Sequence, residues 1–253
     1  MIMEHQINWQ ARSELMLGDG RMRRLRESHV LVIGLGGVGG YAAEMLARSG
    51  VGCMTIVDMD VVNPTNINRQ LIAMQSTIGR PKVTLWRERL LDINPDLKLT
   101  CHELFLRDEL TDDLLDSDEY SYVIDAIDTL SPKVHLIKSL VERELPFISV
   151  MGMGAKFDPR MIMIDRMDRA KNCPLARMIR KRLRKLKVSL KFQVVYSEEL
   201  PDEEAIILTD EESNKKSITG TVAHNPAVAG CYAAYAALDW ITLGGTLYKI
   251  EEE

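Results

Sequence analysis

The run Gly34-Leu35-Gly36-Gly37-Val38-Gly39-Gly40 lies between an apolar stretch and a helical pattern. Gly34, Gly36 and Gly39 fit G-x-G-x-x-G, with Asp58 about 20 residues further on. Glycine lets the backbone approach a phosphate closely, and the helix N-terminus beyond supplies N–H donors and a partial positive charge. Asp58 is then placed for ribose hydroxyls. The turn alone says only that a nucleotide binds, and a tight turn without a ligand is the bland alternative. Asn66-Ile67-Asn68-Arg69-Gln70 and then Lys82 narrow the reading. A hydride-transfer cofactor needs no cationic grip on a third phosphate. Cleavage of ATP at its α-phosphate does, because negative charge builds on phosphorus and on departing pyrophosphate. The competing reading is that Lys82 caps a helix and Arg69 pairs with Asp60. Asp125 and Asp128 end a later strand, where a carboxylate suits the Mg2+ that ATP brings, Asp128 above all. They would otherwise end the strand and cap the next helix.

The elements that position these groups alternate. His29-Val30-Leu31-Val32-Ile33 is continuously apolar, as a strand buried on both faces must be. A helix follows over residues 38–49, ended by Gly50, and then a strand over residues 53–57. Two such strands around one helix are expected to run parallel. Helices are read over residues 12–27, 82–93 and 132–143, and strands over 97–101, 122–124 and 146–150. The whole predicts an α/β doubly wound, mostly parallel sheet with a Rossmann-like ATP-binding half. A smaller C-terminal extension holds strands at 161–164 and 192–196, a basic helix over 174–187, and an acidic, mobile excursion over 197–220. One domain over residues 1–253 is expected, with 9–165 as its nucleotide-binding core and 166–253 as its extension.

The net charge of −5 hides an asymmetry. Residues 166–191 hold eleven Arg or Lys against Asp168 alone, a charge of +10, so the remainder carries −15. Arg177, Arg180, Lys181, Arg182, Arg184, Lys185 and Lys187 suit a phosphate backbone. A solvated face is the alternative, and the acids over 198–212 are placed to fold across the helix and mask it. None of Cys53, Cys101, Cys173 and Cys231 forms a Cys-x-x-Cys pair, which argues against a four-thiolate zinc site. Reduced thiols and an N-terminus without an apolar signal core point to the cytoplasm. Residues 226–245 carry one charge, Asp239, and are rich in Ala and Gly. A core helix is expected there rather than a membrane span.

The five motifs residues 32–40, Asp58-Met59-Asp60, Asn66 through Gln70, Gly79-Arg80-Pro81-Lys82 and Asp125-Ala126-Ile127-Asp128 occur in this order. Together they resemble the ubiquitin-activating-enzyme-like (ThiF-type) adenylyltransferases. The resemblance is close over residues 9–165. It implies that Gly34, Gly36, Gly37, Gly39, Asp58, Asp60, Asn66, Asn68, Arg69, Lys82, Asp125 and Asp128 hold ATP. It also implies a homodimer in which Arg12 reaches the partner's nucleotide. Within that superfamily, Lys133 and Pro174-Leu175-Ala176-Arg177 with the basic run are similar to the tRNA threonylcarbamoyladenosine dehydratases. That branch implies tRNA as substrate, a carboxylate activated as an acyl-adenylate, and closure by the carbamoyl group with loss of AMP. Two absences support the branch. The zinc-holding Cys pairs of sulfur-carrier activators are missing, and the loop over 217–221 lacks the cysteine that such activators often carry.

The runner-up is adenylation of the C-terminus of a ubiquitin-like sulfur carrier. A non-catalytic nucleotide sensor that recruits a sulfur-transfer partner and a dehydrogenase rank below it. Cys173 lies near Lys171 and Arg177, a setting that favours a thiolate, against an incidental cysteine before a proline. His224 is read as capping or packing the last helix.

Overall fold

The computed structural model describes residues 8–208 and 217–246. The expectations for residues 1–6 and for residues 209–216 of the acidic excursion lie outside that range. Seven strands form one sheet in the order β3-β2-β1-β4-β5-β7-β6. They are β1 (His29–Ile33), β2 (Cys53–Val57), β3 (Lys98–His102), β4 (Tyr122–Asp125), β5 (Phe147–Val150), β6 (Ile162–Arg166) and β7 (Gln193–Ser197). All pair in parallel except β6, which is antiparallel to β7 at one edge.

Both faces of the sheet are covered, which explains the unbroken apolar runs. Val30, Val32, Met54, Ile56, Tyr122 and Ile124 face one core. It is closed by α1 (Ala11–Glu27), α2 (Gly39–Ser49), α3 (Lys82–Ile93) and α7 (His224–Leu243). Leu31, Ile33, Val57, Val123 and Phe147 face the other, under α4 (Glu109–Asp116), α5 (Leu130–Glu142) and α6 (Pro174–Lys185). The alternation along β1 is the two-residue period of a strand.

Strand β1 lies between β2 and β4, so the chain reverses its direction of winding there. Sheets of this kind bind ligands beyond the carboxyl ends of the strands at that reversal. Gly34 leaves β1 at φ 87°, and a Cβ there would lie 2.8 Å from the Ala126 carbonyl oxygen at the end of β4. Only glycine satisfies both the left-handed backbone and that approach.

The apolar helix expected over 226–245 is a core element. Ala229, Ala233, Ala236 and Ala237 are fully buried, and the single charge Asp239 is buried and accepts from Thr246. Among the described residues no helix is long and apolar enough to cross a membrane. Helix α7 crosses α2 closely, since a Cβ on Gly230 would stand 2.4 Å from the Val38 carbonyl oxygen. Unforeseen elements are α4, the hairpin β8 (Ile206–Leu208) with β9 (Ser217–Thr219), and a kink in α1 at Gly18.

Candidate active site

The glycine turn is tied to β2 through Asp58. Its Oδ2 accepts from the Leu35 N–H at 2.7 Å and its Oδ1 from the Asp60 N–H at 2.8 Å. Burial raises the Asp58 pKa, opposed by the charge of Lys82. A carboxylate has roughly four lone-pair sites. The two N–H donors therefore leave Asp58 capacity for further hydroxyls.

Lys82 opens α3 behind Pro81 and is only 4% exposed. Its Nζ lies 2.8 Å from Asp60 Oδ2 and 3.9 Å from Asp58 Oδ1. Asp60 thus pairs with Lys82, and the alternative Arg69–Asp60 pair does not form. The Arg69 guanidinium donates instead to the Thr65 carbonyl at 2.9 Å and to Asn68 Oδ1 at 2.8 Å. The arginine lies against the turn all the same, because a Cβ on Gly37 would meet Arg69 Cγ at 3.2 Å. Fold and sequence therefore bring the turn, Asp58, Asp60, Arg69 and Lys82 to one place. Gly36 is the open member of the turn, where an added Cβ would meet only Gln70 Nε2, at 3.6 Å.

The two asparagines are spent largely on loop architecture. Asn66 Oδ1 accepts from the Asn63 N–H at 3.0 Å. Asn68 Nδ2 donates to the Thr221 carbonyl at 2.9 Å, which joins this loop to the segment that leads into α7.

Asp125 departs from the expected ligand contact. It is fully buried, with Lys133 Nζ at 2.8 Å and the Ser149 hydroxyl donating at 2.6 Å. Its other oxygen accepts from the Ile127 N–H at 3.1 Å. Lys133 is itself fully buried, and burial lowers its pKa against the pull of Asp125. The pair fastens the ends of β4 and β5 to α5 beneath the turn. Asp128 is exposed on the loop beyond, and Thr129, not Asp128, occupies the N-cap of α5. Arg12 is exposed in the first turn of α1.

Two site features escaped the sequence reading. Gln70 Oε1 and both polar atoms of the Asn225 amide are buried without a hydrogen-bond partner among the described residues. An orphaned buried polar group costs about 1–3 kcal/mol, so such groups point to a missing partner. Gln70 stands beside Gly36, and Asn225 precedes Pro226, whose Cβ would be 3.3 Å from a Cβ on Gly37. Gln70 was visible within its motif but had no assignable role. Asn225 carried no signal, because its burial depends on the docking of α7.

On α6, Ala176, Ile179 and Leu183 form the buried stripe. Met178 and Leu186 lie off that stripe and are 43% and 50% exposed. Arg177, Lys181, Arg182, Arg184, Lys185 and Lys187 are exposed. Arg180 is not part of that outward set, since its guanidinium donates to the Ala170 carbonyl at 2.6 Å and to that of Met167 at 3.3 Å. Arg182 also reaches Ser131 on α5 at 2.7 Å. In the described part of the acidic stretch, Glu198 pairs with Lys171 at 2.9 Å and Glu199 holds the Phe157 and Asp158 N–H groups. Cys173 is buried at the N-cap of α6, where its Sγ accepts from the Ala176 N–H at 3.5 Å. His224 opens α7 and packs edge-on against Phe157.

Comparison with known proteins follows the same lines. A tRNA threonylcarbamoyladenosine dehydratase of Bacillus subtilis is 42% identical over 191 residues, 76% of this chain and 75% of that protein. The Escherichia coli dehydratase is 37% identical over 67% of this chain and 63% of its own length. The crystal structure of that E. coli enzyme in complex with ATP superposes with a TM-score of 0.82, at 30% identity, over 92% of this chain and 93% of the other. A molybdopterin-synthase adenylyltransferase of Salmonella typhimurium matches over only 49% of each chain, at 36% identity. The glycine turn, the Arg69 and Lys82 loops and the docked α7 all fall within residues 7–250, which match the ThiF family model, and the chain belongs to the ThiF family.

Proposed function

We propose that the protein is an ATP-dependent tRNA threonylcarbamoyladenosine dehydratase. Its substrate carboxylate attacks the α-phosphorus of ATP, and pyrophosphate leaves. A carbamoyl atom then attacks the acyl carbon, one carbamoyl proton is lost, and AMP departs as the ring closes. The observation that carries this reading is that Arg69 packs on Gly37 of the glycine turn while Lys82 neighbours Asp58, the carboxylate that accepts from the turn's Leu35 N–H. Both cations are held in place by loop contacts before any phosphate arrives, so little reorganisation accompanies the charge that develops. The nucleophile is already tethered to the substrate, so no thioester is needed. The N-capping position of Cys173 agrees with that.

Magnesium fits this site as an ion carried by ATP. Mg2+ commonly uses one or two carboxylates together with phosphate oxygens and water. Exposed Asp128 would hold it, and the ion would neutralise charge on departing pyrophosphate. The exposed cations of α6 would grip the tRNA backbone. Arg12 would complete the site of a second copy in a homodimer, and the enzyme would work in the cytoplasm. The test is mass spectrometry of tRNA nucleosides from cells with and without the gene. Loss of the cyclic nucleoside with accumulation of its open form supports the reading. An unchanged nucleoside profile, with loss of a sulfur-containing product instead, transfers the assignment to a sulfur-carrier activator.

A further inference from the structure

Phe157 is held in an unusual way for a ring that is 67% exposed. Its N–H donates to both carboxylate oxygens of Glu199, each at 2.9 Å, and Glu199 also accepts from the Asp158 N–H at 2.8 Å. Its carbonyl accepts from His224 Nε2 at 2.6 Å, so that nitrogen carries the proton. The imidazole and the ring meet in a T-shaped pair, with centroids 5.1 Å apart and planes at 85°. Both backbone polar groups are therefore pinned while the ring stays in solvent. The nearby acids are engaged as well: Glu199 by backbone donors, and Asp158 by the Arg160 guanidinium at 2.7 Å.

The place of this ring matters. His224 opens α7, and two residues later Pro226 backs Gly37 of the glycine turn. Two residues span at most about 7 Å. The clamp on Phe157 is thus joined, through two residues at the start of α7, to the segment that backs the glycine turn. On the reading above, the reacting carboxylate is joined to its own adenine through the threonylcarbamoyl group. When the carboxylate reaches phosphorus, that purine must lie a few bonds away. Single-stranded loop bases are recognised by being splayed out onto aromatic side chains.

We propose that Phe157 is the platform on which the modified adenine of tRNA stacks while its carboxylate is adenylated. This rests on the dehydratase reading and adds the residue that positions the base. Pinning the backbone leaves little motion to lose on stacking. A contact with a second copy of this chain is the competing use of an exposed ring.

The test is a double cycle on the full-length protein. One axis is Phe157→Ala and Phe157→Tyr. The other is an anticodon stem-loop RNA with the threonylcarbamoyl adenosine against the same RNA with an abasic nucleotide there. Stacking predicts that Phe157→Ala weakens binding of the modified RNA by about 5- to 100-fold. Phe157→Tyr should stay within about threefold of wild type, and ATP affinity should be unchanged in both. On the abasic RNA, Phe157→Ala and wild type should bind equally. An equal loss on both RNAs, or no loss on either, overturns the platform. A loss that accompanies dissociation into monomers assigns the ring to a contact between copies and overturns it too. Wild-type conversion of the modified RNA to its cyclic form is measured alongside. If conversion is intact and the cycle is additive, only the platform fails; if wild type makes no cyclic product, the dehydratase reading fails with it.

Discussion

Replacing Lys82 with Met removes a charge at a site where three effects can be separated. The ammonium is 2.8 Å from Asp60 and 3.9 Å from Asp58, with only 4% of the residue exposed. A unit charge about 4 Å from a developing unit charge is worth about 4 kcal/mol at an effective dielectric of about 20. Part of that is returned when the lysine gives up Asp60. A loss of about 10²–10³ in the adenylation rate is therefore expected, the range seen when one preorganised donor is removed. ATP affinity should fall far less, because the charge that Lys82 meets grows mainly in the transition state. Asp58 has a raised pKa from burial, opposed by Lys82, so the variant raises it further. Any ATP affinity that needs the Asp58 carboxylate should then fail at a higher pH than in wild type as acid is added. The assay is single-turnover release of pyrophosphate, the product of the adenylation step, beside ATP binding by calorimetry and a thermal melt. A variant that melts normally and keeps its rate within threefold refutes the reasoning. Equal losses in rate and in ATP affinity also refute it, because they mean uniform binding.

Lys133→Met strands the buried Asp125 carboxylate and should cost about 3–5 kcal/mol of stability, with Lys133→Met/Asp125→Asn recovering much of it in urea denaturation. Lys181, Arg184 and Lys185 reversed to Glu should weaken tRNA binding and flatten its log–log salt slope by roughly 2–3, with ATP affinity unchanged. Arg180 is excluded from that set because it holds backbone carbonyls. Cys173→Ser keeps an N-cap acceptor and should retain activity within about tenfold, a barrier change of about 1.4 kcal/mol; a larger loss in a folded variant revives covalent catalysis. Heterodimers of Arg12→Ala with Lys82→Met subunits should regain one working site, and verified heterodimers without activity place Arg12 outside the partner's nucleotide site.

The sheet was legible because β1, β2 and β4 are buried on both faces and read as largely apolar runs. The turn was legible because Gly34 and Gly39 answer backbone demands that few other residues meet. Helix α4 was missed because its buried face is only Thr111, Leu114 and Leu115 among acids. The β8–β9 hairpin was missed because Ile207 and Ile218 are 65% and 52% exposed and lie in a polar stretch. Asp125 was misjudged because a strand-end carboxylate looks the same in sequence whether it faces a ligand or a buried lysine. Its burial is decided by Ser149 and Lys133, on elements that follow β4 in the chain. Arg180 sits in a run of cations and was read with them, yet its rotation on α6 turns it back onto the chain.

The central claim is that one ATP is split at its α-phosphate for each ring closed on tRNA. Purified protein, ATP, Mg2+ and tRNA bearing the open threonylcarbamoyl adenosine should give cyclic nucleoside, AMP and pyrophosphate in equal amounts. The nucleoside is read by mass spectrometry and the nucleotides by chromatography. Release of ADP and phosphate, or AMP formed with a carrier peptide while the tRNA nucleoside stays open, would contradict the account.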